Sequence, residues 1–179
     1  MDVTLIETGV ANTASIRAAL ARAGAEVRFT TNPGEVSGAA RVVLPGVGHF
    51  AAGAARLRDL GLDTVLRERI EAGRPTLAIC LGLQLLCEGS AEAPGVPGIG
   101  AVPQVVRPLT GRVLPQLGWN QVRPEPGLGF SEPGSAYFAN SFALDRAPAG
   151  WRACWSTYGQ PFIAAIEREG VLALSLIHI

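Results

Sequence analysis

The stretch that constrains this chain most is Thr76-Leu77-Ala78-Ile79-Cys80-Leu81-Gly82-Leu83-Gln84-Leu85-Leu86. Gly73 and Pro75 stand before it as breakers, so an apolar strand is expected from Thr76 to Ile79. An apolar run of helical length follows. A cysteine between the two occupies a sharp strand-to-helix turn, a nucleophile elbow of the x-Cys-x-Gly kind. Such a turn lifts the sulfur above the sheet and directs backbone N–H groups at it. The helix N-terminus adds positive potential, which is expected to lower the thiol pKa and favour the thiolate. Gly82 suits a close approach of helix to strand, where a side chain collides. The alternative for Cys80 is a small buried hydrophobe, a common role for a free cysteine.

A chain of 179 residues is long enough for one domain with a full core. Hydrophobic residues make up 48% and charged residues 17%, which suits a globular α/β protein and excludes a disordered one. The formal net charge is zero, and no Lys/Arg cluster offers a footprint for nucleic acid or an anionic membrane. Cys80, Cys87 and Cys154 are an odd, widely spaced set, which argues for reduced thiols and a cytoplasmic location. Asp2 and Glu7 flank the first apolar run, unlike a signal peptide, and no apolar stretch reaches membrane-spanning length. With His49 and His178 as the only histidines, no metal site and no cofactor are expected.

Along the chain, Val3–Ile6 reads as a strand and Thr8-Gly9 as a turn. Asn12 or Thr13 caps a helix that stops at Gly24. Val27–Thr30 and Arg41–Leu44 read as strands, with Asn32-Pro33-Gly34 as a turn between them. The third strand ends on Pro45-Gly46-Val47-Gly48-His49-Phe50, a glycine-rich loop at the end where open α/β sheets bind ligands. The loop either supplies an oxyanion-holding N–H or is an ordinary βα turn. It lacks the G-x-x-x-x-G-K-[ST] pattern of a P-loop. Leu62–Ala72 reads as a helix, with Asp63 early and Gly73 past its end. Cys87 falls on the elbow helix, and residues 89–100 form a loop. Up to that loop strands and helices alternate, which implies a parallel, doubly wound sheet. Beyond it strands dominate: Ala101–Arg107, Arg112–Leu114, Asn120–Arg123, Tyr137–Asn140, Arg152–Ser156, Phe162–Glu167 and Val171–Leu174. They suggest antiparallel hairpins closing the sheet edge.

Five blocks occur in the order and spacing of a known family: residues 44–50 (LPGVGHF), 79–86 (ICLGLQLL), 118–120 (GWN), 137–142 (YFANSF) and 158–165 (YGQPFIAA). The chain resembles class I (triad) glutamine amidotransferases, and among them the glutaminase subunits of imidazole glycerol phosphate synthase. The resemblance covers residues 2 to about 173. It implies a three-layer, flavodoxin-like α/β fold with a mostly parallel central sheet and an antiparallel extension in the C-terminal half. It implies that Cys80 attacks the side-chain amide of glutamine, forming a thioester and releasing ammonia. Backbone N–H groups of Val47, Gly48 and Leu81 are then the oxyanion donors. Gln84, Glu92 and Ser141 are the implied substrate contacts, with Glu92 taking the glutamine ammonium. Asn12, Trp119 and Asn120 are the implied contacts with a heterodimeric partner, a (β/α)₈ cyclase subunit of the HisF type. That partner uses the ammonia to make imidazole glycerol phosphate and the purine precursor AICAR. Read without the family, Trp119 is a core aromatic.

The chain also departs from the family pattern. Ala78 stands where the family usually has Gly, and Asn140 where it usually has His. At the end, family members run from a strand like Val171-Leu172-Ala173 into Gln-Phe-His-Pro-Glu, which supplies the base and its orienting carboxylate. This chain reads Leu174-Ser175-Leu176-Ile177-His178-Ile179. His178 falls about one residue out of register, and strand side chains alternate faces. The 1–179 domain is therefore expected to carry a truncated or non-native tail after about residue 173. Glutamine turnover by this chain is expected to be ~10³-fold below a complete triad. Two alternatives stay open: a catalytically silent module that still docks on the cyclase, and another class I amidotransferase such as the glutaminase of pyridoxal phosphate synthesis.

Overall fold

A computed structural model of the chain describes residues 1–9, 13–129 and 133–175. The elements are β1 (Asp2–Ile6), α1 (Thr13–Arg22), β2 (Glu26–Thr30), α2 (Pro33–Gly38), β3 (Val42–Gly46), α3 (Phe50–Asp59), α4 (Leu62–Glu71), β4 (Thr76–Cys80) and α5 (Leu81–Leu86). These are followed by β5 (Cys87–Ser90), β6 (Val102–Pro108), β7 (Gln116–Pro124), β8 (Gly134–Asn140), β9 (Phe142–Ala143), β10 (Arg152–Tyr158), β11 (Gln160–Arg168) and β12 (Val171–Leu174). Asn12 and His178 lie outside the described residues.

Among the described residues, nine strands form one sheet in the order β2-β1-β3-β4-β12-β11-β10-β7-β8. The first five run parallel, because β12 returns to pair parallel with β4. From β12 outward the pairings are antiparallel. This is the expected parallel sheet with an antiparallel extension. A small second sheet joins β5, β6 and β9.

Apolar residues on both faces of the parallel strands account for the layers. Ile6, Val42, Leu44 and Ala78 pack against Leu57, Leu62, Leu66 and Ile70 of α3 and α4. Val3, Leu5 and Val43 face Ile16 and Leu20 of α1. Each large aliphatic side chain taken from water contributes about 1.5–3 kcal/mol. The antiparallel half has its own core, where Phe138 meets Phe162 edge to face at 5.1 Å between ring centroids. Arg69 is 2% exposed and ties α4 to α2 and to the segments after it and before β4. Its guanidinium donates to the carbonyls of Val36 (3.0 Å), Ala39 (2.8 Å) and Pro75 (3.0 Å), just before β4. Burial, with Arg74 nearby, lowers its pKa to about 10, so it stays charged at neutrality.

Several local expectations are corrected. Asn32-Pro33-Gly34 is the start of α2: Asn32 Oδ1 accepts from the N–H of Gly34 (2.8 Å) and Glu35 (3.3 Å). The same side-chain-to-backbone bond serves an Asx turn and a helix N-cap, and Pro suits the first helical turn. Residues 50–59 carry no element in the sequence reading yet form α3, burying Phe50, Gly53, Ala54 and Leu57. The elbow helix ends at Leu86, so Cys87 begins β5, where pairing with Val102 replaces further helical bonding. Residues 112–114 form no strand; the Tyr158 hydroxyl donates to the Val113 carbonyl there (2.7 Å). β7 instead starts at Gln116 and pairs with β8 from Gln116↔Asn140 to Val122↔Gly134.

Candidate active site

Cys80 ends β4 and caps α5 with φ 55° and ψ −114°. A non-glycine residue in such a region costs about 1–3 kcal/mol, and this strain recurs where function requires it. The turn is held by close contacts on both sides. Gly46 of β3 stands opposite Cys80 in the sheet register. A Cβ on Gly46 would lie 2.9 Å from both the Gly82 nitrogen and the Leu81 Cβ, and a Cβ on Gly82 would strike the Leu44 carbonyl oxygen. The two bare backbones bring the end of β3 and the first turn of α5 together. The loop then leaves through Gly48 at φ 98°.

These segments open on a cleft of ≈ 220 Å³. Val47, Gly48, Cys80, Leu81, Gln84 and Glu92 line it together with Pro115 and residues 139–142. The oxyanion-loop, nucleophile and substrate candidates Val47, Gly48, Cys80, Leu81, Gln84, Glu92 and Ser141 therefore share one cleft. Gln84 follows Cys80 by four residues and stands on its face of the helix. Glu92 comes from the loop after β5, and its Oε2 accepts from the Phe50 N–H at 2.6 Å. That N–H belongs to the first turn of α3, where a carboxylate is favoured.

The thiol's electrostatics differ from expectation. Burial pushes the Cys80 thiol above its ordinary value, and a hydrogen bond from the Leu81 N–H offsets only part of this. A helix as short as α5 has little dipole to set against desolvation. His49 does not serve as a base: its Nδ1 accepts from the Ala51 N–H (3.2 Å), capping α3. No imidazole lines the cleft among the described residues, and none of them form a cluster of three or more potential metal ligands.

Beside the cleft lies an apolar face that sequence reasoning located only in part. Trp119 is 61% exposed and Leu117 is 67% exposed. They stand on one face of β7, with Val113 and Leu114 also exposed just before it. Trp119 meets the Tyr137 ring edge to face, with centroids 5.7 Å apart. The core-aromatic reading of Trp119 therefore fails. Asn120, one residue on, points to the other face of β7 and donates to the Thr157 carbonyl (3.3 Å). Pro115, Ala139 and Phe142 also line the cleft; Ala139 and Phe142 fall within the 137–142 block, but the sequence singles out neither them nor Pro115 as site residues, because no local spacing brings them to Cys80.

The site and fold define a glutamine amidotransferase of the cysteine-elbow class. The CobB/CobQ-like glutamine amidotransferase domain matches residues 12–121. A solved glutamine amidotransferase superposes with a TM-score of 0.79 at 20% identity, covering 98% of this chain and 89% of that one. The PurLQS structure from Thermotoga maritima gives 0.70 at 14%, covering 98% and 86%. Among curated proteins the similarity is closer. "Imidazole glycerol phosphate synthase subunit HisH" of Moorella thermoacetica is 40% identical over 177 residues, covering 96% of this chain and 84% of that protein. The protein of the same name from Mycobacterium tuberculosis is 38% identical over 185 residues, covering 99% and 89%. This chain belongs to the HisH family, the glutaminase subunits of imidazole glycerol phosphate synthase.

Proposed function

We propose that the chain hydrolyses glutamine at Cys80 and passes the ammonia to a HisF-type (β/α)₈ cyclase docked on the Trp119 face. The observation that carries this is the strained Cys80 turn opening on the cleft shared with Gln84 and Glu92. Glutamine enters with its α-ammonium toward the Glu92 carboxylate and its side-chain amide toward the sulfur. The thiolate attacks the amide carbon, and the carbonyl oxygen becomes an oxyanion facing the N–H groups of Leu81 and the 47–48 loop. One such donor is worth about 3 kcal/mol. The C–N bond breaks, nitrogen leaves as ammonia after gaining a proton, and water cleaves the thioester to glutamate. No cofactor is needed, and we read residues 1–179 as one amidotransferase domain. Three free cysteines fit a cytoplasmic setting.

The test is glutamine turnover by the purified chain, with and without the cyclase and its nucleotide substrate. Stimulation by both supports the assignment, and none overturns it. A second reading, a docking module without catalysis, draws on the cleft's lack of an imidazole among the described residues. Turnover within tenfold of other HisH subunits would make His178 the base. Turnover ~10³-fold lower with undiminished cyclase binding would favour the silent module.

A further inference from the structure

The inner face of the β7–β8 pair holds two carboxamides that the glutaminase reaction leaves without a task. Gln116 and Asn140 are directly opposite each other in the antiparallel register, so their side chains leave the same face of the pair. Gln116 is 2% exposed and Asn140 6%. Asn140 Nδ2 donates to the Phe142 carbonyl at 3.2 Å. Its Oδ1, and both Oε1 and Nε2 of Gln116, find no hydrogen-bond partner among the described residues. Three buried polar atoms on one face of a single cross-strand pair are costly if nothing hydrogen-bonds them.

Their place in the fold suggests what does. Asn140 lines the Cys80 cleft, and so does Pro115, the residue before Gln116. Leu117, the residue after Gln116, stands on the exposed apolar face. The amide pair therefore lies between the reaction cleft and the docking face. We propose that Gln116 and Asn140 form a receiving site for the ammonia released at Cys80, before it crosses to the partner. This rests on the function proposed above. Ammonia offers three N–H donors and one lone pair. Gln116 Oε1 and Asn140 Oδ1 accept, and Gln116 Nε2 donates to the lone pair. Among the described residues, no charged group lines the cleft besides Glu92. A buried, neutral pair of amides holds free ammonia rather than ammonium, since burial disfavours the charged form. The neutral form is also the one that reacts as a nucleophile.

The test uses the protein assembled with its cyclase. Glutamate formed and imidazole glycerol phosphate formed are measured together for the wild type, Gln116→Met and Asn140→Leu. Synthesis from added ammonium chloride checks assembly, and thermal melting of each variant is recorded. The expected result is a product-to-glutamate ratio at least threefold below wild type for both variants, with melting temperatures held or raised. Gln116→Met should hold stability because it removes unpartnered polar atoms at similar volume. A wild-type ratio in both variants overturns the receiving site. So does a fall in melting temperature of more than about 5 °C with loss of ammonium-driven synthesis, which would mark the amides as structural. A wild-type complex that makes no product from glutamine, yet makes it from ammonium, overturns the proposed function itself and the receiving site with it.

Discussion

The Glu92 carboxylate accepts a hydrogen bond from the Phe50 N–H at 2.6 Å, joining two residues 42 apart in sequence. Through this one bond the loop after β5 is pinned to the start of α3, directly after the Pro45–Gly48 turn. The same carboxylate lines the cleft and stands where the glutamine ammonium is expected.

Glu92→Gln should therefore weaken glutamine binding about 10–100-fold, the loss of a charge-assisted bond in a partly buried site. It should lower stability by only about 0.3–1 kcal/mol, because an amide still accepts from Phe50 while the charge at the helix start is gone. Calorimetric titration of glutamine into a Cys80→Ala background reads the first effect without turnover. Unchanged affinity would remove Glu92 from substrate recognition.

At the elbow, Cys80→Gly should raise stability by about 1–2 kcal/mol, since glycine accepts the φ of 55° without strain. Cys80→Ala keeps the strain and should abolish glutamine hydrolysis while sparing ammonia-driven synthesis by the complex. Denaturant unfolding and the two synthesis assays check the pair. A stability loss in Cys80→Gly would show that the sulfur's packing outweighs the backbone strain.

Gly82→Ala has no comparable tolerance. Its methyl group would meet the Leu44 carbonyl oxygen, a backbone atom in the centre of the sheet. We expect a loss of about 2–4 kcal/mol, within the range of severe overpacking, and a melting temperature lower by about 4–16 °C. A near-wild-type melting curve would mean that β3 and α5 can slide apart.

Docking should depend on Trp119. Trp119→Ala is expected to weaken cyclase binding by about 2 kcal/mol or more, roughly 30-fold. Folding stability should change little, because the ring is 61% exposed and touches Tyr137 only edge to face. Surface plasmon resonance against immobilised cyclase and a melting curve separate the two effects.

The three thiols set an alkaline limit. Burial raises the pKa of Cys80 and Cys87 above the ordinary thiol value, and pushes Cys154 up to about 11. A thiol raised in the folded state favours the neutral form there more than in the unfolded chain. Its contribution is full below the ordinary thiol pKa and is lost as pH rises through the folded value. Melting temperature should fall between ~pH 8.5 and ~11, and less steeply in Cys154→Ala. In the free chain, iodoacetamide should label Cys80 ever faster across that window rather than reaching a plateau near neutrality.

What the sequence determined by itself is the local chemistry at strand ends. Val3–Ile6, Thr76–Ile79 and Val171–Leu174 are apolar runs bounded by breakers. The elbow at Cys80 and the loop at Gly46–Gly48 follow from short segments whose own residues demand the turn. Helix α3 was also encoded, in the 50, 53, 54, 57 spacing of its buried face, but two small residues there weaken the apolar signal. Tertiary structure decided the rest. The part of the cleft lined by Ala139 and Asn140 comes from the β7–β8 pairing, a contact that no local spacing records. The length of α5 was decided by β6, which draws Cys87 into a strand that its apolar helix pattern does not foretell. The direction of the Cys80 shift was decided by how deeply the fold buries the sulfur: desolvation scales with everything packed around it, whereas the helix contributes only its first turn.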